Sequence, residues 1–204
     1  MSGDVSELLR EGLLEGAAIV LAGAPGSENH GMRDALSGLG GRVAMVALAA
    51  SDGPEAEEHL AIEAMGDALE QLGSLHTLVI DGASLFGAGE GREALMGCLA
   101  AAWNAARAAV QLAFLPGETG GRIVLLAPSE GAEHAPAAAA GLENLARTLS
   151  IEWARYGITT VAIAPGADTR PADLAAVVAY LASTAGAYFS GCLMDLRGPR
   201  SLRA

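Results

Sequence analysis

The chain of 204 residues predicts a doubly wound parallel α/β sheet, and three observations carry that prediction. Short apolar runs alternate with longer segments of helical periodicity, and a helix between successive strands forces parallel pairing with right-handed crossovers. A glycine-bearing turn follows the first apolar run. The chain holds 27 glycines and only 4% aromatic residues, a composition that lets helices approach a sheet closely.

The elements follow in order. Ala17 to Ala22 predicts a buried strand, with a helix near Gly31 to Leu39 and a second strand over Arg42 to Leu48. Pro54 opens a helix where its missing N–H costs nothing, and Leu60, Met65, Leu69 and Leu72 carry the apolar face to a stop at Gly73. His76 to Ile80 is the third strand, Ala94 to Leu115 a long helix and Arg122 to Ala127 the fourth strand. A helix over Pro136 to Tyr156 repeats Leu142, Leu145, Leu149 and Trp153 at helical spacing. Ile158 to Ala164, a helix over Pro171 to Ser183 and a last strand over Cys192 to Leu196 complete a single domain.

Charge and composition exclude several functions. The net charge of −12 repels phosphate backbones and anionic membrane surfaces, which argues against nucleic acid as a partner. Cys98 and Cys192 form no CxxC pair and predict neither a zinc site nor a disulfide framework, so no metal is expected. The acidic start MSGDVSELLREG lacks the basic and apolar regions of a secretory leader, and a cytoplasmic location is expected. Asn104, Arg107 and Gln111 interrupt the apolar stretch from Ala94 to Leu115, which favours a buried or interfacial helix over a membrane span. Every basic residue is arginine, so no mechanism that needs a lysine is available.

Four segments, in order, resemble the short-chain dehydrogenase/reductase family. They are IVLAG at 19 to 23, GGRIVLLAPS at 120 to 129, LARTLSIEWARYGITTVAIAPG at 145 to 166, and YLASTAGAYFSGCLMDLRG at 180 to 198. The resemblance covers nearly the whole chain and implies a Rossmann-like sheet with an NAD(P) cofactor and hydride transfer. It also implies a substrate lid, a further helix and strand between Leu48 and His76, and dimerisation through the two long helices. This chain is too short in both intervals, which predicts a narrowed sheet edge and no lid.

The family's functional positions fall on unsuitable residues. In AGAPGSENHG, Gly23 takes the first glycine position of TGxxxGxG, but Ser27 and Asn29 take the others, with Glu28 between them. The ribose position falls on Ala47 and Leu48, and the NNAG segment on Ile80, Asp81, Gly82 and Ala83, where Asp81 reads as a turn residue. The catalytic Tyr and Lys positions fall on Ala135 and Ala139, and the asparagine position near Cys98. Ser129 survives as a lone hydroxyl without a base, and His134 reads as an exposed loop histidine. Weak cofactor-binding candidates remain in Gly23, Gly26, Gly31, Pro165 and Gly166.

The leading expectation is therefore a catalytically degenerate protein, a pseudoenzyme subunit that binds no cofactor. It would pair with itself or with an active short-chain dehydrogenase, burying the helices that carry Trp103, Ala106, Leu142, Leu149 and Trp153, with Tyr188 at a second contact. Two alternatives stand beside it. One is a divergent NAD(P)-dependent oxidoreductase using Gly26 and Gly31 in a shifted loop, and the other is a small-ligand sensor.

Overall fold

The computed structural model describes residues 9–27, 29–49, 51 and 53–198. Six parallel strands form one sheet in the order β2-β1-β3-β4-β5-β6. They are β1 (Ala18–Gly23), β2 (Arg42–Ala47), β3 (Thr77–Asp81), β4 (Gly121–Leu126), β5 (Ile158–Pro165) and β6 (Cys192–Leu196). The helices are α1 (His30–Gly38), α2 (Pro54–Leu72), α3 (Gly82–Gly87), α4 (Gly91–Ala109), α5 (Leu115–Gly117), α6 (Ala135–Glu152) and α7 (Pro171–Ala182).

Strand alternation builds both faces of the core. Ala18, Val20 and Ala22 of β1 point toward α2, α4 and α6, where Met65, Ala102 and Leu142 are buried, while Ile19 and Leu21 point toward Leu36 of α1 and Val178 of α7. Alanine and glycine let these layers close tightly. A Cβ on Gly82 would stand 2.5 Å from Leu142 Cδ1 and 2.6 Å from the Leu126 carbonyl oxygen, so only glycine fits where β3 passes into α3.

The expected strands and long helices are all present, with ends shifted by a few residues. β2 is an edge strand, as the short interval between Leu48 and His76 predicts, and only residues 166–170 connect β5 to α7, so no lid is present there. The long apolar helix differs from expectation. It starts at Gly91, ends as α-helix at Ala109, and passes through a π turn at Val110–Phe114 into α5. Pro116 withdraws a backbone donor at that point, which the wider turn accommodates. Among the described residues, Gly91–Gly117 is the one stretch long and apolar enough to cross a membrane, and half of its most apolar window is buried against the rest of the chain.

Two features were not anticipated. One is α3, nucleated by Asp81, whose carboxylate accepts from the Ser84 amide at 3.1 Å and caps the helix. The other concerns the helices expected to form an interface. Ala106, Leu142 and Leu149 are at most 2% exposed and pack against this chain's own sheet, so they cannot be interface residues. The 3.6-residue period identifies an apolar face but not what covers it. The exposed apolar side chains on these stretches are instead Met96, Trp103, Leu112, Leu115, Ile151 and Tyr156.

Candidate functional site

In an open parallel sheet, ligands meet the loops at the carboxyl ends of the strands. Here that edge is filled largely by the chain itself. The loop after β1 begins with a turn in which the Ser27 amide donates to the Ala24 carbonyl at 3.0 Å, with Pro25 and Gly26 at its centre. Gly26 has φ of 75°, so a type II turn explains this glycine without a phosphate. Glu28, the residue expected to oppose a diphosphate, lies outside the described residues.

Asn29 and Ser84 occupy the space beside Gly23. Asn29 Nδ2 donates to Asp81 Oδ2 at 2.8 Å, and Ser84 Oγ accepts from the Ala24 amide at 3.1 Å while donating to the Asp81 carbonyl at 3.0 Å. A Cβ on Gly23 would stand 2.8 Å from Ser84 Oγ, 3.0 Å from Ser27 Oγ and 3.4 Å from Asn29 Nδ2. Gly23 is thus needed for close approach by the chain's own side chains. Gly31, in the first turn of α1, has open space in front of it, as does Gly26. Leu48 is buried just beyond β2, its amide donating to the Gly23 carbonyl at 2.8 Å, and neither it nor Ala47 offers a side-chain group to a ribose.

A different set of contacts lies at the β5 and β6 end of the edge. A Cβ on Gly166 would stand 2.7 Å from Arg197 Cα, and the Gly166 amide donates to Thr169 Oγ1 at 2.8 Å. Pro165 ends β5 directly before it. Arg197 pairs with Asp195 at 2.6 Å and with Glu130 at 3.3 Å. Since β5 lies between β4 and β6, this ion pair crosses the carboxyl end of β5.

The positions of the family's proton-transfer residues are not gathered into a reactive set. Ala135 is buried in the first turn of α6 and Ala139 is half-buried one turn later. Ser129 is exposed in the loop after β4, and His134 is half-exposed beside Glu133 at 3.8 Å. Cys98 is fully buried, and its thiol donates to the Gly82 carbonyl at 3.3 Å. Burial, helped by the Asp81 charge, pushes that thiol up to about 12, so it stays protonated and unreactive at neutral pH. No group of three or more metal-ligating side chains occurs among the described residues.

A dinucleotide in the family's mode does not fit this set of residues. The second and third glycine positions of that loop are held by Ser27 and Asn29, whose side chains crowd the turn beside Gly23 where the family brings bare backbone up to a diphosphate.

One cleft of about 300 Å³ remains open, and sequence reasoning missed it. It lies between α2, α3 and α4, with Pro25, Leu48 and Ala49 from the loops after β1 and β2. Asn104 lines it although that residue is only 8% exposed. The signal was present in the polar stripe of the long helix, where Asn104 is the member that turns inward.

The chain matches no family model and no curated protein. Solved structures do resemble it. A citronellol catabolism dehydrogenase of Pseudomonas aeruginosa PAO1 superposes with a TM-score of 0.73 at 24% identity, over 93% of this chain and 96% of that one. A hydroxysteroid dehydrogenase from Escherichia coli gives 0.68 at 16%, over 93% and 99%. A short-chain dehydrogenase/reductase of Serratia marcescens gives 0.67 at 19%, over 90% and 99%. At these identities the likeness establishes the fold: the chain has the Rossmann-like α/β fold of short-chain dehydrogenases.

Proposed function

We propose that this protein is a cytoplasmic, non-catalytic subunit built on the short-chain dehydrogenase fold, which assembles with itself or with an active short-chain dehydrogenase. The observation that carries the reading is the filled space beside Gly23. Ser27 and Asn29 stand where the family's loop brings glycine backbone to a diphosphate, and Asn29 is held in place by its bond to the part-buried Asp81. The absence of any lysine and the alanines at 135 and 139 support it from the chemical side, because no phenol and ammonium pair is available to move a proton. Fold likeness to dehydrogenases does not itself supply activity.

Calorimetric titration with NAD⁺, NADH, NADP⁺ and NADPH tests the reading, and no saturable binding is the expected result. Low-micromolar binding of any of the four would overturn it in favour of the shifted Gly26 and Gly31 loop. Co-expression with an intact short-chain dehydrogenase from the same genome, purified through a tag on one chain, tests the assembly role. A stoichiometric mixed oligomer supports pairing with an active enzyme, and two separate homo-oligomers support self-association.

A further inference from the structure

The open cleft differs in chemistry from the closed edge beside it. Its walls are the buried Leu48, Ala61, Leu85 and Ala94 and the half-buried Ala101. Ala94, Gly97, Ala101 and Asn104 recur at helical spacing on one face of α4, and Gly97 leaves a notch where a Cβ would meet nothing within 4 Å.

Asn104 makes no side-chain hydrogen bond to any described residue, although it is more than nine-tenths buried and lines this cleft. An amide so placed carries donors and an acceptor that a ligand can satisfy. Glu57 and Glu93 also line the cleft, and neither has an ion-pair partner among the described residues. Their places in the first turns of α2 and α4 are favourable for carboxylates by the helix dipole alone. That accounts for the acids and leaves Asn104 unexplained. Glu58 and Arg107, the nearby pair at 3.0 Å, shows that an arginine on α4 neutralises a neighbouring acid on α2 but not Glu57.

We propose that this cleft binds a small, largely apolar molecule carrying a protonated nitrogen, with the apolar body against α4, a polar group on Asn104 and the cation facing Glu57 and Glu93. A volume of about 300 Å³ suits a compact ligand at the lower end of the usual pocket range. The proposal rests on the reading that no dinucleotide occupies this edge of the sheet. Two carboxylates at the cleft disfavour a phosphate, while the same charges attract an amine.

Benzylamine, benzyl alcohol, benzoate and AMP, of related shape or ring character but different charge, are titrated into the full chain at low salt. Benzylamine is expected to bind saturably, benzyl alcohol more weakly, and benzoate and AMP not at all. Gly97→Leu fills the notch, since a Cβ there meets nothing within 4 Å and the rest of the side chain extends into the cleft, and it should abolish benzylamine binding. Glu57→Gln and Glu93→Gln should each weaken it by about threefold, as for partly exposed charge pairs. Asn104→Leu should reduce binding while raising the melting temperature of the free protein, because an unpartnered amide leaves an apolar wall. A fall in melting temperature would assign Asn104 to the fold and overturn its ligand role. Absent benzylamine binding, equal binding of benzoate, or indifference to Gly97→Leu in a folded variant overturns the proposal alone. Tight AMP binding that displaces benzylamine overturns it together with the non-nucleotide reading.

Discussion

Asn29 and Asp81 are joined across the carboxyl edge of the sheet by a hydrogen bond of 2.8 Å from Nδ2 to Oδ2. Asp81 ends β3 and Asn29 lies in the loop that follows the neighbouring β1, so one bond ties that loop to the end of the next strand. The same carboxylate caps α3 through the Ser84 amide. Asp81→Ala should therefore cost about 1–3 kcal/mol, combining a lost cap with a lost side-chain bond. Asp81→Asn, which keeps an acceptor, should cost less. Urea unfolding of the three proteins checks this, and equal stabilities would show that the tie contributes nothing.

Gly23→Ala places a methyl group 2.8 Å from Ser84 Oγ. The expected loss is about 1–3 kcal/mol from overpacking. Ser84→Ala removes the obstructing hydroxyl and also the bond from the Ala24 amide, so it should be destabilising on its own. In the double variant the two losses should be less than additive, because the second change relieves the clash made by the first. Strict additivity in a double-mutant cycle would mean that Ser84 is not what makes Gly23 a glycine.

Periodicity made the fold legible from sequence, because each strand and helix shows its burial pattern in its own residues. The narrowed edge at β2 was legible too, from the length of chain between Leu48 and His76. The site was legible only as substitutions at expected positions. Ala135 and Ala139 announce missing groups, but nothing local says that Asn29 reaches Asp81, since the partners are 52 residues apart. Asp81 and Ser84 at a spacing of three are a capping signal that sequence alone could have given. Gly166 shows the reverse case, a glycine read as a cofactor contact that the exit of β6 makes necessary.

His76 gives a pH dependence with a definite sign. Its Nδ1 accepts the Ala18 amide at 3.0 Å, which requires that nitrogen to be deprotonated. Burial, then the charges of Arg42 and Arg122, hold its pKa below the ordinary 6.5. The unfolded chain therefore takes up the proton first as the pH falls. The stabilising contribution is complete above the unfolded value of 6.5 and is lost as pH falls through the depressed folded value. His76→Gln retains an acceptor for the Ala18 amide and should flatten the dependence across that window. Urea midpoints followed from neutral to mildly acidic pH decide it, and parallel curves for the two proteins would remove His76 as the cause.

The assembly reading makes its sharpest prediction where the structure corrected the choice of residues. Leu149 is 2% exposed and Ile151, two residues on, is 77% exposed, so arginine at the two positions should have opposite consequences. Leu149→Arg drives an unpaired charge into the core and should unfold the protein or cost it several kcal/mol. Ile151→Arg leaves every core contact in place and should change stability by no more than about 0.5 kcal/mol. Met96→Arg, on α4 at 57% exposure, belongs with Ile151. On the same two helices Trp103 and Trp153 stack with ring centroids 6.2 Å apart, and Arg107 lies over the Trp103 ring, which adds a rigid, part-exposed aromatic group to α4. Exposed Met, Ile and Trp side chains on two helices are the residue types that a partner surface covers. Sedimentation of the parent should show an oligomer, and Ile151→Arg or Met96→Arg should shift it toward monomer with the melting temperature kept. A parent that stays monomeric with and without a co-expressed short-chain dehydrogenase would end the assembly reading, as would folded variants at both positions that assemble unchanged.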